Sequence, residues 1–425
     1  MPAPPEHAVA ESHIIARVHA SVLDVDPQAW NALLAHQAHA TPFMRHEYLA
    51  ALETSGSATP RTGWTPRFLT LWDAGALVAA CPLYLKTHSY GEYVFDWAWA
   101  SAYEQHGVPY YPKALVAVPF TPVPGSRLLA RDATARAQLV QAARQWCMEE
   151  DISSLHLLFA AEEDIATCAD QGLMLRHTVQ FHWQNMAPVA PVVSSEATSE
   201  WLAMPNRFTS FDDFLASLAQ EKRKKIKQER RRVADAGVTF RCLQGKDIST
   251  GDWDFFYRCY ERTYLEHGNP PYLSRAFFAD MARTMPEAWV LFIAERDGQP
   301  IASSLIAISA YPASATGQKD TEIIAYGRYW GALERVDCLH FEACYYQPLQ
   351  WCIEHGVHRF EGGAQGEHKM ARALLPVQTS SAHWLAHPAF ADAVERFLER
   401  EGEGVDAYLQ SLHERAPFRK TQNPP

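Results

Sequence analysis

Between positions 361 and 372 the chain gathers Glu361, Gln365, Glu367, His368, Lys369 and Arg372, interrupted by Gly362, Gly363 and Gly366. These residue types suffice for proton transfer and charge neutralisation. Glu361, Glu367 and His368 are candidate bases, and Lys369 and Arg372 are the cations. The glycines let backbone N–H groups approach a ligand oxygen closely.

The elements that must hold this loop precede it. Leu339 to Gly356 reads as an amphipathic helix with Leu339, Glu342, Tyr346, Leu349 and Ile353 on one stripe. Pro348 inside it removes a backbone donor and predicts a kink or a break. Val357 to Phe360 reads as a short buried strand, so the polar loop begins just past a strand's C-terminal end, where open α/β sheets bind ligands. Ile323 to Trp330 reads as the strand facing it, with Tyr326, Arg328 and Tyr329 near its end. Glu342 lies among inward-facing apolar residues and requires a partner, because a buried carboxylate is paired or has a raised pKa. That partner is Arg328 or Arg335 in a structural salt bridge, or else a substrate that Glu342 orients.

Phe341-Glu342, Cys344-Tyr345-Tyr346-Gln347, Gly363-Ala364-Gln365-Gly366-Glu367-His368-Lys369 and Ser380-Ser381-Ala382-His383-Trp384 resemble the motifs of the FemAB-like predicted N-acyltransferases, the peptidoglycan biosynthesis or recognition group. The resemblance covers most of the chain. It implies an α/β (α+β) fold of tandem GCN5-related acetyltransferase-like domains, each a mixed, mainly antiparallel sheet flanked by helices. It also implies an N-acyltransferase that moves an acyl or aminoacyl group onto an amine acceptor such as a cell-wall precursor. Acyl-CoA or aminoacyl-tRNA would be the donor substrate, with no tightly bound cofactor, and the partners would be a small-molecule or nucleotide-linked peptide substrate and tRNA. Lys369 occupies the position of a lysine that in Fem-type enzymes meets the substrate phosphate or carbonyl. A conventional acyl-CoA N-acetyltransferase and a non-catalytic binder of a cell-wall precursor or headgroup are the alternatives.

An internal repeat points the same way. Hairpin-like runs at Phe68–Trp72 and Ala76–Tyr84 turn at Gly75, and similar runs at Trp289–Ala294 and Pro300–Ser309 turn at Asp297-Gly298. The helix 133–148 with its following strand 154–159 echoes the helix and strand that lead into the polar loop. Gln145-Trp146-Cys147 matches Gln350-Trp351-Cys352 within them. Such an ordered set is most simply two copies of one α/β unit. The expected division is 1–190 for the first domain, a Pro- and Ser-rich linker at 191–208, 209–400 for the second, and 401–425 as a helix end and tail.

The remaining stretches are plainer. Helices are expected at 26–36, 43–52, 253–264, 275–285 and 389–410, and a single long helix at 211–236 ends at Gly237. The last carries a basic run in which Lys224 and Lys225 are candidate phosphate ligands, set against the ordinary reading of a solvated face. The aromatic segment 90–111 reads as a half-buried strand and core-lining loop, or as a groove wall supplying Trp97, Tyr103 and His106 to a substrate. The proposed substrate-binding set is completed by Arg328, Tyr329, Glu342, Tyr346, Gln365 and Arg372.

Composition bounds these readings. With 425 residues and 48% hydrophobic content the chain exceeds one ordinary core and is too apolar for disorder. A net charge of −11 argues against a DNA binder or a general binder of anionic membranes. No apolar run reaches the roughly 18 residues of a spanning helix, and a cytoplasmic protein is expected. The 8 cysteines show no C-x-x-C pair, which favours free thiols. His383 and His387 lack a third ligand, so no metal site is expected.

Overall fold

The computed structural model describes residues 14–186, 207–310, 322–363 and 366–419. A small sheet holds β1 (Ile15–His19), β3 (Phe68–Asp73), β4 (Ala76–Cys81) and β7 (Leu129–Ala130) in the order β1-β3-β4-β7. Pro82 separates β4 from the next strand, which belongs to a second, 11-stranded sheet. From one edge that sheet runs β10 (Val238–Gln244), β11 (Trp289–Arg296), β12 (Gln299–Ala310), β13 (Ile323–Ala332), β14 (Arg359–Glu361) and β9 (Met174–Gln184). It continues through β15 (Leu375–Leu385), β8 (Ser154–Ala160), β6 (Lys113–Val116), β5 (Leu83–Lys86) and β2 (Trp64–Pro66).

Two of its pairings, β13 with β14 and β6 with β8, are parallel, and the others are antiparallel. Parallel neighbours need a crossover, usually helical. Here α4 (Ala133–Glu149) lies in one crossover, and α10 (Leu339–Phe341) and α11 (Gln347–Glu354) lie in the other. The hairpins match as well: Ala74-Gly75 and Asp297-Gly298 all have positive φ, the two-residue turn whose twist suits antiparallel strands. Each half's last strand leaves its own half. β9 pairs only with β14 and β15, and β15 pairs only with β9 and β8.

Strand alternation sends side chains to two cores. On one face Leu291, Ile293, Leu305 and Tyr326 pack beneath α1 (Pro27–Ala35), α2 (His46–Thr54), α8 (Thr250–Glu266) and α9 (Arg275–Thr284). On the other, Val290, Phe292, Ile306 and Phe360 meet α6 (Phe211–Ser217), α7 (Gln220–Asp235) and α11. Local signals set the ends: Asp26 caps α1 through Gln28 and Ala29 N–H, with Pro27 in the first turn. α5 (Glu162–Asp170) follows β8, and α12 (Pro388–Glu414) crosses β9 and β15.

Four expectations need correction. The helix expected over 211–236 is two, because the chain extends at Leu218-Ala219 and Ala219 N–H donates to the Pro417 carbonyl. The helix before the polar loop contains a π turn, Glu342–Tyr346, immediately ahead of Pro348, so the missing donor is absorbed without a sharp break. The strand expected over 357–360 is β14, which takes Glu361 into the sheet. The aromatic segment forms α3 (Trp97–Gln105), not a strand. Its alternating aromatics suggested period two, but the alanines between them favour helix, and Trp99 and Tyr103, four apart, are the buried pair. Asp96 anchors the start of α3 by accepting from Tyr110 Oη at 2.6 Å and from buried Lys113, which also bonds Glu92 at 2.7 Å.

Candidate active site

β13 and β14 pair only over Ile324–Tyr326 and Arg359–Glu361. Beyond that β13 runs on to Ala332, while Gly362 and Gly363 follow Phe181 of β9 instead, with Gly362 N–H on the Phe181 carbonyl at 2.9 Å. A bulge sharpens the divergence: Leu305 faces Tyr329 and Ile306 faces Gly327, leaving Arg328 as the extra residue. The wedge between the strands opens into a cleft of about 600 Å³ roofed by α8 and the loop after it, the π turn and the polar loop.

Arg328, Tyr329, Trp330, His340 and Tyr345 line both the wedge and the wider cleft, and His368 and Lys369 complete the latter. Arg328 donates to the Phe120 carbonyl at 3.1 Å and the Tyr329 hydroxyl at 3.3 Å, and its guanidinium lies 5.2 Å from the Phe43 ring and 5.0 Å from that of Tyr329. Its Nε is buried without a hydrogen-bond partner, and among the described residues no carboxylate pairs with it. Lys369 is buried, with Nζ on the carbonyls of Gly362 and Gly363, the latter at 3.1 Å. Burial pushes its pKa down to about 8. His368 contacts the Tyr345 hydroxyl at 3.2 Å, and desolvation with the charges of Arg372, Lys369 and Lys225 lowers its pKa. Among the described lining residues there is no Asp or Glu. Cations without carboxylates favour an anionic ligand, and a neutral imidazole beside them can accept a proton.

Other residues singled out in the sequence are placed elsewhere. Arg372 lies 3.7 Å over the Phe341 ring and donates to Glu229 of α7 at 2.7 Å and to the His368 carbonyl. Tyr346 also donates to Glu229, so these two residues clamp the polar loop to the π turn and α7. Glu342 pairs with Arg230 of α7 at 3.0 Å, in place of the expected Arg328 or Arg335, and accepts from Gln347. Glu367 turns outward to Tyr408 at 3.0 Å and Arg415 at 3.1 Å. Glu361 points to the opposite side of β14 from Phe360 and Gly362 and faces a separate cavity. Gln365 lies outside the described residues.

Tyr103 stacks on Phe390 of α12 at 3.9 Å, His106 meets the same ring, and half-exposed Trp97 lies against Tyr90. From the N-terminal half, Phe120 stacks on the cleft residue Tyr272 at 4.8 Å. Lys224 and Lys225 are exposed on α7, the latter near enough to His368 to bias it. Tyr260 and Tyr264 of the cleft were not singled out in the sequence, since an aromatic stripe on a helix reads as core, nor was Tyr272 in the loop after α8. His383 is on a strand and shares a 2.7 Å contact with His156, so it forms no helical chelate with His387. Among the described residues no cluster of His, Cys, Asp and Glu suits a metal, and no helix is long and apolar enough to cross a membrane.

The FemAB-like family, described as peptidoglycan biosynthesis/recognition, matches residues 21–420. The chain belongs to the FemAB-like family. Among solved structures, FemX shares the fold at 10% identity and a TM-score of 0.50, covering 87% of this FemAB-like chain and 98% of its own. L-PGS from Bacillus licheniformis is 12% identical, with a TM-score of 0.49 over 88% of this chain and 97% of its own. A tandem GNAT protein from the clavulanic acid biosynthesis pathway is 14% identical, with a TM-score of 0.43 over 88% of this chain and 99% of its own. No curated protein matches. The fold of this FemAB-like protein is the tandem acetyltransferase-like α/β one, with a mainly antiparallel sheet flanked by helices.

Proposed function

We propose that this protein is an N-acyltransferase that moves an acyl or aminoacyl group onto an amine acceptor, with a cell-wall precursor as the acceptor class. The observation that carries the reading is the cleft that opens from the wedge between parallel strands β13 and β14, lined by Arg328 and Lys369 and, among the described residues, by no carboxylate. The donor's anionic part, a phosphate of CoA or of tRNA, lies against Arg328. Lys369 spends two N–H groups on carbonyls, and its third is free for the oxyanion of the tetrahedral intermediate. His368, kept neutral, takes the proton that the attacking amine loses, and as the intermediate collapses the donor's C–S or C–O bond breaks and the CoA thiolate or tRNA 3′-alkoxide leaves with that proton. Family membership supports the cell-wall acceptor.

The test incubates the purified protein with acyl-CoAs, charged tRNA and nucleotide-linked muropeptides and reads products by mass spectrometry. An acylated amine acceptor is expected, with transfer about 10²-fold or more slower in Lys369→Ala. Saturable binding of these ligands with no product from the wild type would overturn the reading and leave a binding protein.

A further inference from the structure

A second cavity, of about 510 Å³, lies over β13, β14, β9 and β15 on the face that Glu361 occupies, within the size range of small-molecule sites. Two of its lining residues present polar atoms that are buried and unbonded. Glu361, 5% exposed, accepts from Arg359 Nε at 3.0 Å through Oε1, while Oε2 has no hydrogen-bond partner. Thr41, 2% exposed, has Oγ1 in the same condition. Unmade hydrogen bonds of this kind are costly and uncommon, and two of them facing one space mark a place for a ligand with N–H groups.

Charge narrows the ligand. Arg359 is shared by Glu361 and Glu322, the second at 3.5 Å, so two carboxylates meet one guanidinium. His182 Nε2 stands 4.0 Å from Glu361 Oε2, and burial drives its pKa down to about 3, so it adds no positive charge. Glu162 adds a further carboxylate to the lining, so the balance is negative, which an ammonium would neutralise.

We propose that this cavity is a second binding site, for a ligand carrying a primary ammonium group, held by Glu361 with Thr41 and His182 completing the pocket. This site stands apart from the transferase reading, whose attacking amine meets His368 in the cleft. β14 separates it from the cleft: Phe360 and Gly362 face the donor side, and Glu361 faces this one.

The experiment is calorimetric titration of the full chain with cadaverine and with 1-pentanol, an apolar chain of the same length without the ammonium. Cadaverine should bind saturably and pentanol should not. Glu361→Gln should weaken cadaverine at least 10-fold, and Thr41→Val a few-fold. Glu361 faces Arg359, Glu322, His182 and Tyr326, and burial raises its pKa to about 7. Cadaverine affinity should therefore rise from pH 6 to pH 8. Absence of saturable cadaverine binding to the wild type, or equal affinity in a folded Glu361→Gln, would overturn the proposal. No transfer step enters this readout, so it fails or succeeds apart from the acyltransferase assay.

Discussion

Burial puts Glu361 and Lys369 under opposite strain, and the pH dependence of stability separates them. Glu361 has its pKa raised from 4.5 to about 7, chiefly by desolvation and against the pull of Arg359. Between those values the folded state holds a proton that the unfolded state has lost, so stability falls as pH rises through that window. Glu361→Gln removes the penalty. It should be more stable than the wild type at pH 8, by at most about 3 kcal/mol in urea unfolding, and the difference should close below about pH 4.5. A variant equally destabilised at both values would refute this account. Lys369 is displaced from 10.5 to about 8, where the unfolded chain binds the extra proton. Its term therefore makes the protein more stable as pH climbs from 8 towards 10.5. Both residues were legible in the sequence as members of a polar loop after a short strand; that the strand extends through Glu361, and so sends the two to different cavities, was not.

At the scale of elements, the cleft exists because α8 lies close enough to β13 to leave its end open. Gly331 permits that approach: a Cβ built there would lie 1.9 Å from the Cys259 carbonyl oxygen of α8, while Thr263 donates to the Trp330 carbonyl at 2.9 Å. Backbone cannot yield as a side-chain tip can, so Gly331→Ala should destabilise the protein by more than about 3 kcal/mol, measured by urea unfolding. A loss under about 1 kcal/mol would show that α8 shifts freely. The opposite wall depends on α7, where Glu229 and Arg230 reach inward to Tyr346, Arg372 and Glu342. A basic run is visible in sequence, but which of its members turn inward follows from the helix phase set by buried Ile226, Glu229 and Val233.

For the whole molecule, the exchanged last strands are the governing fact. β9 finds both neighbours in the C-terminal half, and β15 finds both in the N-terminal half. Expressed alone, 1–190 would carry β9 with two unpaired edges, and 207–425 would carry β15 likewise, a state that promotes aggregation. Each fragment should show little cooperative unfolding by circular dichroism, whereas co-expressed fragments should elute together and regain a single transition. Independent, monomeric, cooperatively folding halves would contradict this reading of the sheet.

The sequence alone determined what local chemistry dictates: the capped helices, the two glycine hairpins, the crossover helices that recur in each half, and the concentration of ionisable groups around Lys369. Those follow from backbone preference and from periodicity, which act over a few residues. Tertiary structure decided which side of β14 each ionisable group serves, that Glu367, Arg372 and Tyr103 are taken up by neighbours, and that Tyr260, Tyr264 and Tyr272 reach the cleft. The reason is the sheet itself: its strand order brings residues some 200 positions apart into register, and no local signal encodes a partner at that distance.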